Sequence, residues 1–387
     1  MKVIDLVYFN AGGGHRAAAL ALQDIIRRQR RPWQVRLINL TEVLDRHGLF
    51  QRYTGIAPED LYNKRLARGW TLGLAQELKL LQGMIRLAHP TLVRLLQVHW
   101  AATEPDLVVS LVPNFNRALC QSVAQALPGV PFVTVMTDLA DHPPHFWIEP
   151  QQRQYLVCGT ARAVEQARAM GCDMHHVLLT SGMILRPDFY RAAPVDRDAG
   201  RRALGLDPQR LTGVVMFGGQ GSMQMRTIAR ALDDVQLVLL CGHNHALARA
   251  LRNRRSAAPH AVVEFTSEVG RYLRLGDFFI GKPGPGALSE ALHCGLPVIT
   301  LRNAWTMPQE RYNTDWVLEQ GVGVVLRSVR HLRAAVDHVA DRLPALRERV
   351  AALDNRAVFE LPEILDDVLR SAQVPSTAAW KHTVAAP

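Results

Sequence analysis

Four stretches carry residues whose types and spacing could do chemistry. In "NAGGGHRAAALAL", 10–22, Gly12, Gly14 and Ala17 have the GxGxxA spacing of a tight strand-to-helix turn, and His15 stands at the helix start. A helix N-terminus lowers an imidazole pKa and favours the neutral base. In "VVMFGGQGSM", 214–223, Gly218, Gly219 and Gly221 again end a strand and open a helix, and with Ser222 they form a nest of amides. In "FFIGKPGPGALSEALHCGLPVITL", 278–301, a loop at Lys282–Pro285 leads to a helix that begins near Gly286 with no side-chain bulk. Its bare N–H groups suit an anion such as a diphosphate. Glu290, one turn in on the same face, can accept both hydroxyls of a ribose. In "NAWTMPQERYN", 303–313, Gln309 and Glu310 place an amide beside a carboxylate, a pairing that can grip a hexose.

The elements that must position these residues alternate. Val3–Phe9, Gln34–Leu40, Asp106–Val112 and Pro131–Met136 read as buried strands, with helices such as His15–Arg28 and Phe115–Leu127 between some of them. Gly213–Phe217, Gln236–Leu240, Ala261–Phe265, Phe278–Ile280 and Pro297–Leu301 repeat the rhythm, with helices at 222–233, 245–255, 286–294, 309–319 and 329–341. The expected class is α/β: two Rossmann-like, doubly wound domains with parallel sheets. The proline- and charge-rich stretch 181–200 separates a first domain, 1–185, from a second, 205–355. A last helix within 356–373 is expected to pack back on either domain, and the tail 374–387 to be disordered.

Composition narrows the classes. The chain has 387 residues, 45 Lys+Arg against 35 Asp+Glu, and a formal charge of +10, a balance drawn to polyanions. No aromatic–basic RNA motif or helix-turn-helix pattern appears, so nucleic acid is not an expected partner. Five cysteines with no CxxC pair fit free thiols in a reducing compartment. The start reads as no signal peptide, and no run is long enough to span a membrane. An NAD site wants an acid where Asn39 stands. A P-loop is excluded because Pro283 follows GxxxxGK. Asp196-Arg197-Asp198 has DxD spacing but lies in the linker, where Asp198 reads as a helix cap. His142 with His145, and Cys241 with His243 and His245, lack the spacing of a zinc site. Residues 62–100 mix basic residues with Trp70 and many leucines, and part of this region, near 50–75, is expected to lie on an anionic membrane surface.

Taken together, GGGHRAAA, TDL at 137–139, FGGQGSM, LLCGHN at 239–244, KPGPGALSEALHCGLPVI and PQERYN resemble the diacylglycerol glycosyltransferases. That group includes monogalactosyldiacylglycerol synthases and processive glucosyltransferases of glycosyltransferase family 28. The resemblance implies a GT-B fold, with the two domains facing a central cleft. It implies inverting, metal-independent transfer of a hexose from a UDP-sugar to a lipid hydroxyl, most simply diacylglycerol, with no cofactor. Gly218, Gly219, Gly221, Ser222, Lys282, Gly284, Gly286, Ser289, Glu290, Gln309 and Glu310 would hold the donor. Gly13, Gly14 and His142 would face the acceptor. His15 is the preferred base, with Asp138 orienting it or competing for the role. The enzyme would be cytoplasmic and peripheral on the inner face of the cell membrane. The alternatives are a UDP-sugar epimerase of the same architecture and a transferase to a non-glycerolipid acceptor. Two departures stand out: Thr306-Met307-Pro308 precedes Gln309 where the family has a Pro-Gly pair, and after TDL the tryptophan, Trp147, comes late.

Overall fold

The apolar runs form short, mostly buried strands, most of them followed by a helix that covers a sheet face. A computed structural model describes residues 1–10, 13–45, 74–191, 196–304 and 306–373. The first half runs β1 (Lys2–Tyr8), α1 (Gly14–Arg28), β2 (Trp33–Asn39), α2 (Leu40–Leu44), α3 (Leu74–Thr103), β3 (Leu107–Ser110), α4 (Asn116–Ala126), β4 (Phe132–Val135), β5 (Tyr155–Cys158), α5 (Ala161–Ala169) and β6 (Val177–Leu179). The second runs α6 (Arg197–Ala203), β7 (Thr212–Met216), α7 (Gln224–Ala231), β8 (Gln236–Leu240), α8 (His245–Arg252), β9 (His260–Val263), α9 (Val269–Leu273), β10 (Phe278–Gly281), α10 (Pro285–His293), β11 (Val298–Leu301), α11 (Arg311–Gln320), β12 (Gly323–Leu326), α12 (Leu332–Asp341) and α13 (Leu343–Ala351). A last helix, α14, spans Ala357–Gln373.

Each half is a six-stranded parallel sheet, ordered β2-β1-β3-β4-β5-β6 and β12-β11-β10-β7-β8-β9. The order reverses between β1 and β3 in the first sheet and between β7 and β10 in the second. At such a switch point the loops leaving neighbouring strands diverge and open a crevice at the carboxyl edge. The loop with Gly13 leaves β1; the loops with Gly218 and Lys282 leave β7 and β10. All the glycine-rich stretches therefore sit at switch points. The strands β5, β6 and β12 go beyond those read from sequence, and the 309–319 helix divides into a 3-10 turn at Pro308–Glu310 and α11.

α1 and α14 cover one face of the first sheet: Leu22 and Ile26 pack with Ile4, Leu6, Val358, Leu361, Leu365 and Val368. α3 and α4 cover the other, where Trp100 donates to Ser122 Oγ at 2.8 Å. The chain thus crosses between halves twice, and the crossings are tied. Asn355 Nδ2 donates to Met183 O at 2.9 Å, Arg356 N to Ser181 Oγ at 2.7 Å, and Ser181 N to Glu360 Oε2 at 2.8 Å. The α6 cap differs from expectation. Asp196, not Asp198, accepts from Ala199 N, because Asp196 keeps the extended backbone that a cap requires. Of the membrane segment expected near 50–75, residues 50–73 lie outside the described residues. Among those described, no helix is long and apolar enough to cross a membrane.

One buried carboxylate ties the base of the second half. Asp277 accepts from Arg197, Arg201 and Arg347 at 2.7–2.8 Å and from Thr212 N at 2.9 Å. Burial pushes its pKa up, but these hydrogen bonds and charges outweigh burial and hold it below the usual 3.8. Asp277→Ala strands the guanidinium groups and is expected to cost about 3 kcal/mol in urea denaturation. Because the folded pKa is depressed, this contribution is complete above the unfolded value and disappears as pH falls through the folded one. The gap between wild type and variant should therefore close on acidification below about pH 4.

Candidate functional site

The second half supplies a lining of backbone amides. Gly218 and Gly221 take left-handed backbone, with φ of 76° and 60°. A Cβ on Gly221 would lie 2.5 Å from the Cys241 carbonyl oxygen. His243 N donates to Gly219 O at 2.8 Å, pressing the 218–222 loop against the loop after β8. At α10 the N-cap is Gly284, whose lack of a side chain leaves no capping bond, and Pro285 contributes no N–H. Leu288 N is the first to bond back, to Gly284 O. The amides of Gly286 and Ala287 thus have no acceptor within the helix and stand beside the Gly218 loop.

Side chains stiffen this rim. Lys282 Nζ pairs with Glu310 Oε1 at 2.8 Å, and Glu310 is buried. Asn313, fully buried on α11, donates to Pro283 O at 2.7 Å and pins the loop that precedes α10. Ser289 and Glu290 are half-buried. Burial pushes the Glu290 carboxyl up to about 7, with the charge of Arg186 pulling the other way. Gln309 does not join Glu310 here: its amide lies 3.7 Å from the Met307 sulfur.

The first half supplies the titratable groups. Gly13, left-handed at φ 80°, starts α1 without a side-chain cap, and it and Gly14 are exposed. His15 Nδ1 lies 3.0 Å from Thr137 Oγ1, and its ring packs 5.9 Å from Trp147. Burial lowers its pKa to about 4, against a hydrogen bond to the Leu111 backbone. Asp138 does not orient His15, as one reading of the sequence had it. Thr137 does, while Asp138 Oδ2 accepts from Trp147 Nε1 at 2.9 Å. Burial pushes the Asp138 carboxyl up to about 7; the Trp147 bond opposes this, and Glu310 adds to it.

Asp141 fixes the loop that brings Trp147 there. Fully buried, it accepts from the amides of His145 at 2.9 Å, Trp147 at 2.6 Å and Ile148 at 3.4 Å. Gln166 bonds its backbone on both sides, at 2.9 Å each.

The two edges face one another. Asp138 feels the charges of Glu310 and Lys282, and His142 those of Arg311, Arg302 and Asp315. Asp138 therefore looks across a cleft at Lys282 and Glu310, and His142 at the charged residues around α11. Sequence reasoning missed Thr137, Asp141 and Asn313 as site residues, and gave Trp147 no partner. Asn313 stands in the PQERYN motif, but its carbonyl partner becomes visible only in three dimensions. Among the described residues no group of three metal-ligating side chains forms.

No protein-family model matches the chain. "Probable monogalactosyldiacylglycerol synthase 2, chloroplastic" of Oryza sativa subsp. japonica is 28% identical over 97% of this chain and 82% of that protein. Monogalactosyldiacylglycerol synthase 3 of Arabidopsis thaliana is 26% identical over 96% and 80%. The chain is a relative of the monogalactosyldiacylglycerol synthases. Among solved structures it resembles MurG of Acinetobacter baumannii (TM-score 0.57, 11% identity, 95% of this chain and 100% of that one). It also resembles HepE of Anabaena in complex with UDP (TM-score 0.53, 16%, 96% and 100%). A third is a putative UDP-N-acetylglucosamine 2-epimerase of Listeria monocytogenes (TM-score 0.55, 14%, 95% and 96%). The fold is the expected GT-B arrangement of two parallel sheets.

The glycine loops separate two demands. Gly221→Ala meets both a left-handed backbone and a carbonyl oxygen, and should lower stability by about 2 kcal/mol in thermal or urea denaturation. Gly286→Ala adds its methyl to open space and should leave the melting midpoint unchanged.

Proposed function

We propose that the chain is an inverting, metal-independent glycosyltransferase that moves a hexose from a UDP-sugar to a lipid hydroxyl, with diacylglycerol as acceptor. The observation that carries this is the facing of Asp138 and the Lys282–Glu310 pair across one cleft, beside the uncapped start of α10. In that setting the acceptor oxygen bonds to the anomeric carbon and its proton passes to Asp138. The bond from the anomeric carbon to the β-phosphate oxygen breaks, and its electron pair leaves with UDP. The Gly286 and Ala287 amides, the Gly218–Ser222 loop and Lys282 receive that charge without a metal. Glu290 holds the ribose, Gln309 and Glu310 the sugar, while Gly13, Gly14 and His142 line the acceptor side. Asp138 is the better base, since a pKa near 7 matches neutral pH and His15, near 4, is weak. His15 is then a wall of the cleft, held by Thr137 and packed on Trp147.

The lipid reading draws support from α3. Leu80, Met84, Leu87, Leu95 and Val98 are exposed on its outward side, with exposed Lys79 and Arg94 on one flank. An apolar stripe with cationic neighbours suits an anionic bilayer, so the enzyme works as a peripheral protein on the cytoplasmic face of the cell membrane. Its free cysteines accord with that compartment. An epimerase of this architecture would convert the nucleotide sugar with no lipid present.

Purified protein with diacylglycerol vesicles and UDP-galactose, UDP-glucose or UDP-N-acetylglucosamine, in EDTA, should yield a glycolipid from at least one donor. Conversion of donor without lipid, or loss of product in EDTA, would sink the proposal. Asp138→Asn should cut kcat about 1000-fold with UDP affinity unchanged, whereas Glu290→Gln should weaken UDP binding. The rate should rise with pH along a limb centred near 7 as Asp138 ionises. Trp147→Phe removes a hydrogen bond that stabilises the carboxylate, so the limb should move to higher pH.

A further inference from the structure

Lys282 faces two demands. On the reading above, its ammonium receives the charge of the leaving diphosphate. In this structure the same ammonium lies 2.8 Å from Glu310 Oε1. Its arm runs between the two glycine loops of the second half. A Cβ on Gly218 would lie 3.8 Å from Lys282 Cε, and one on Gly284 would lie 3.2 Å from that carbon and 3.4 Å from Glu310 Oε1. The ion pair therefore rests against the N-cap of α10, where the first amides of that helix open.

The two partners are not equally free. The Glu310 side chain is 6% exposed and that of Lys282 35%. The backbone on either side of Lys282 is held: Gly281 O accepts from Thr300 Oγ1 at 2.9 Å, and Pro283 O from Asn313 Nδ2 at 2.7 Å. The ammonium can thus change partner only by turning its own four-carbon arm. Glu310, buried at the head of α11, stays where it is. A turn of Lys282 towards a diphosphate leaves a buried carboxylate without its cation, which is costly unless other donors replace it. Asp138, whose charge and that of Glu310 oppose each other, offers no relief. The hydroxyls of a hexose are such donors. A nucleoside diphosphate alone brings only acceptors and more negative charge to that spot.

We propose that the Lys282–Glu310 pair biases the cleft towards a nucleotide sugar and against free nucleoside diphosphate: Lys282 leaves Glu310 for the diphosphate, and hexose hydroxyls take its place on the carboxylate. The inference rests on the UDP-sugar reading above. It makes Glu310 a specificity-determining residue, since selection comes from a difference between two affinities. Once the hexose is on the acceptor, Glu310 has lost those hydroxyls and reclaims the ammonium. The diphosphate then loses a cation, and release of UDP is favoured.

The full-length protein, without acceptor, is titrated calorimetrically with UDP, UDP-galactose and UDP-glucose. Glu310→Gln keeps the shape of the side chain and removes its charge. It should bind UDP about tenfold more tightly than wild type, and its affinity for the nucleotide sugar relative to UDP should fall. Lys282→Met should weaken UDP binding, and in that background Glu310→Gln should leave UDP binding unchanged, because no ammonium is left to contest. Glu310→Asp keeps the charge and shortens the arm, so its UDP affinity should fall between those of wild type and Glu310→Gln. Thermal melts confirm that each variant is folded, and Glu310→Asp serves if Glu310→Gln is not. No uptake of UDP by the wild type overturns the UDP-sugar reading and this inference with it. Where the wild type does bind UDP, the inference alone is overturned by either of two results. One is a Glu310→Gln variant that binds UDP no more tightly than wild type. The other is an equal gain from Glu310→Gln with and without Lys282→Met, which is plain charge repulsion and not competition for the ammonium.

Discussion

In a wholly parallel sheet every strand delivers its carboxyl end to the same edge, and where the strand order reverses the departing loops have no neighbour to close against. That constraint governs this molecule twice. β1 and β3 part in one half, β7 and β10 in the other, and the two open edges confront each other. The cleft follows from topology before any side chain is chosen. What the sequence adds is restraint: glycines and a proline at the rims keep backbone donors bare, and Asn313 holds the rim still by gripping Pro283 O.

Environment then sorts the carboxylates. Asp277 lies among three guanidinium groups and an amide, and stays charged as a structural anchor. Asp138 has one indole N–H and, across the cleft, a glutamate whose charge opposes its own ionisation; burial lifts it towards neutrality. Two aspartates on one chain thus serve opposite ends because their surroundings differ. Asp141, buried against three amides, is a third case in which the carboxylate is spent on shaping a loop.

Much of this was legible in the residues, and for identifiable reasons. The strands at 3–9, 213–217 and 278–280 announce themselves because they are apolar, largely buried and run into glycine-bearing loops. β6 and β12 were not, being short edge strands of only partly buried residues that no period distinguishes from loop. Asp196 and Asp198 both fit a cap pattern in the sequence, and only the backbone angles single out Asp196. Thr137, Asp141 and Asn313 escaped because their importance is a matter of partners across the fold, which spacing along the chain does not encode.

The two tied crossings, at 181–183 and 355–360, have a mechanical consequence. A body joined to another by one strand can swing in any direction, but one joined at two neighbouring, mutually bonded points keeps a single easy rotation, about the line through both. The closing helix also makes the halves interleaved. A chain severed in the linker would leave the leading piece without Val358, Leu361, Leu365 and Val368, baring the trough they fill. The pair of sheets is in this sense one hinged object, a clasp with two pins, and not two beads on a string.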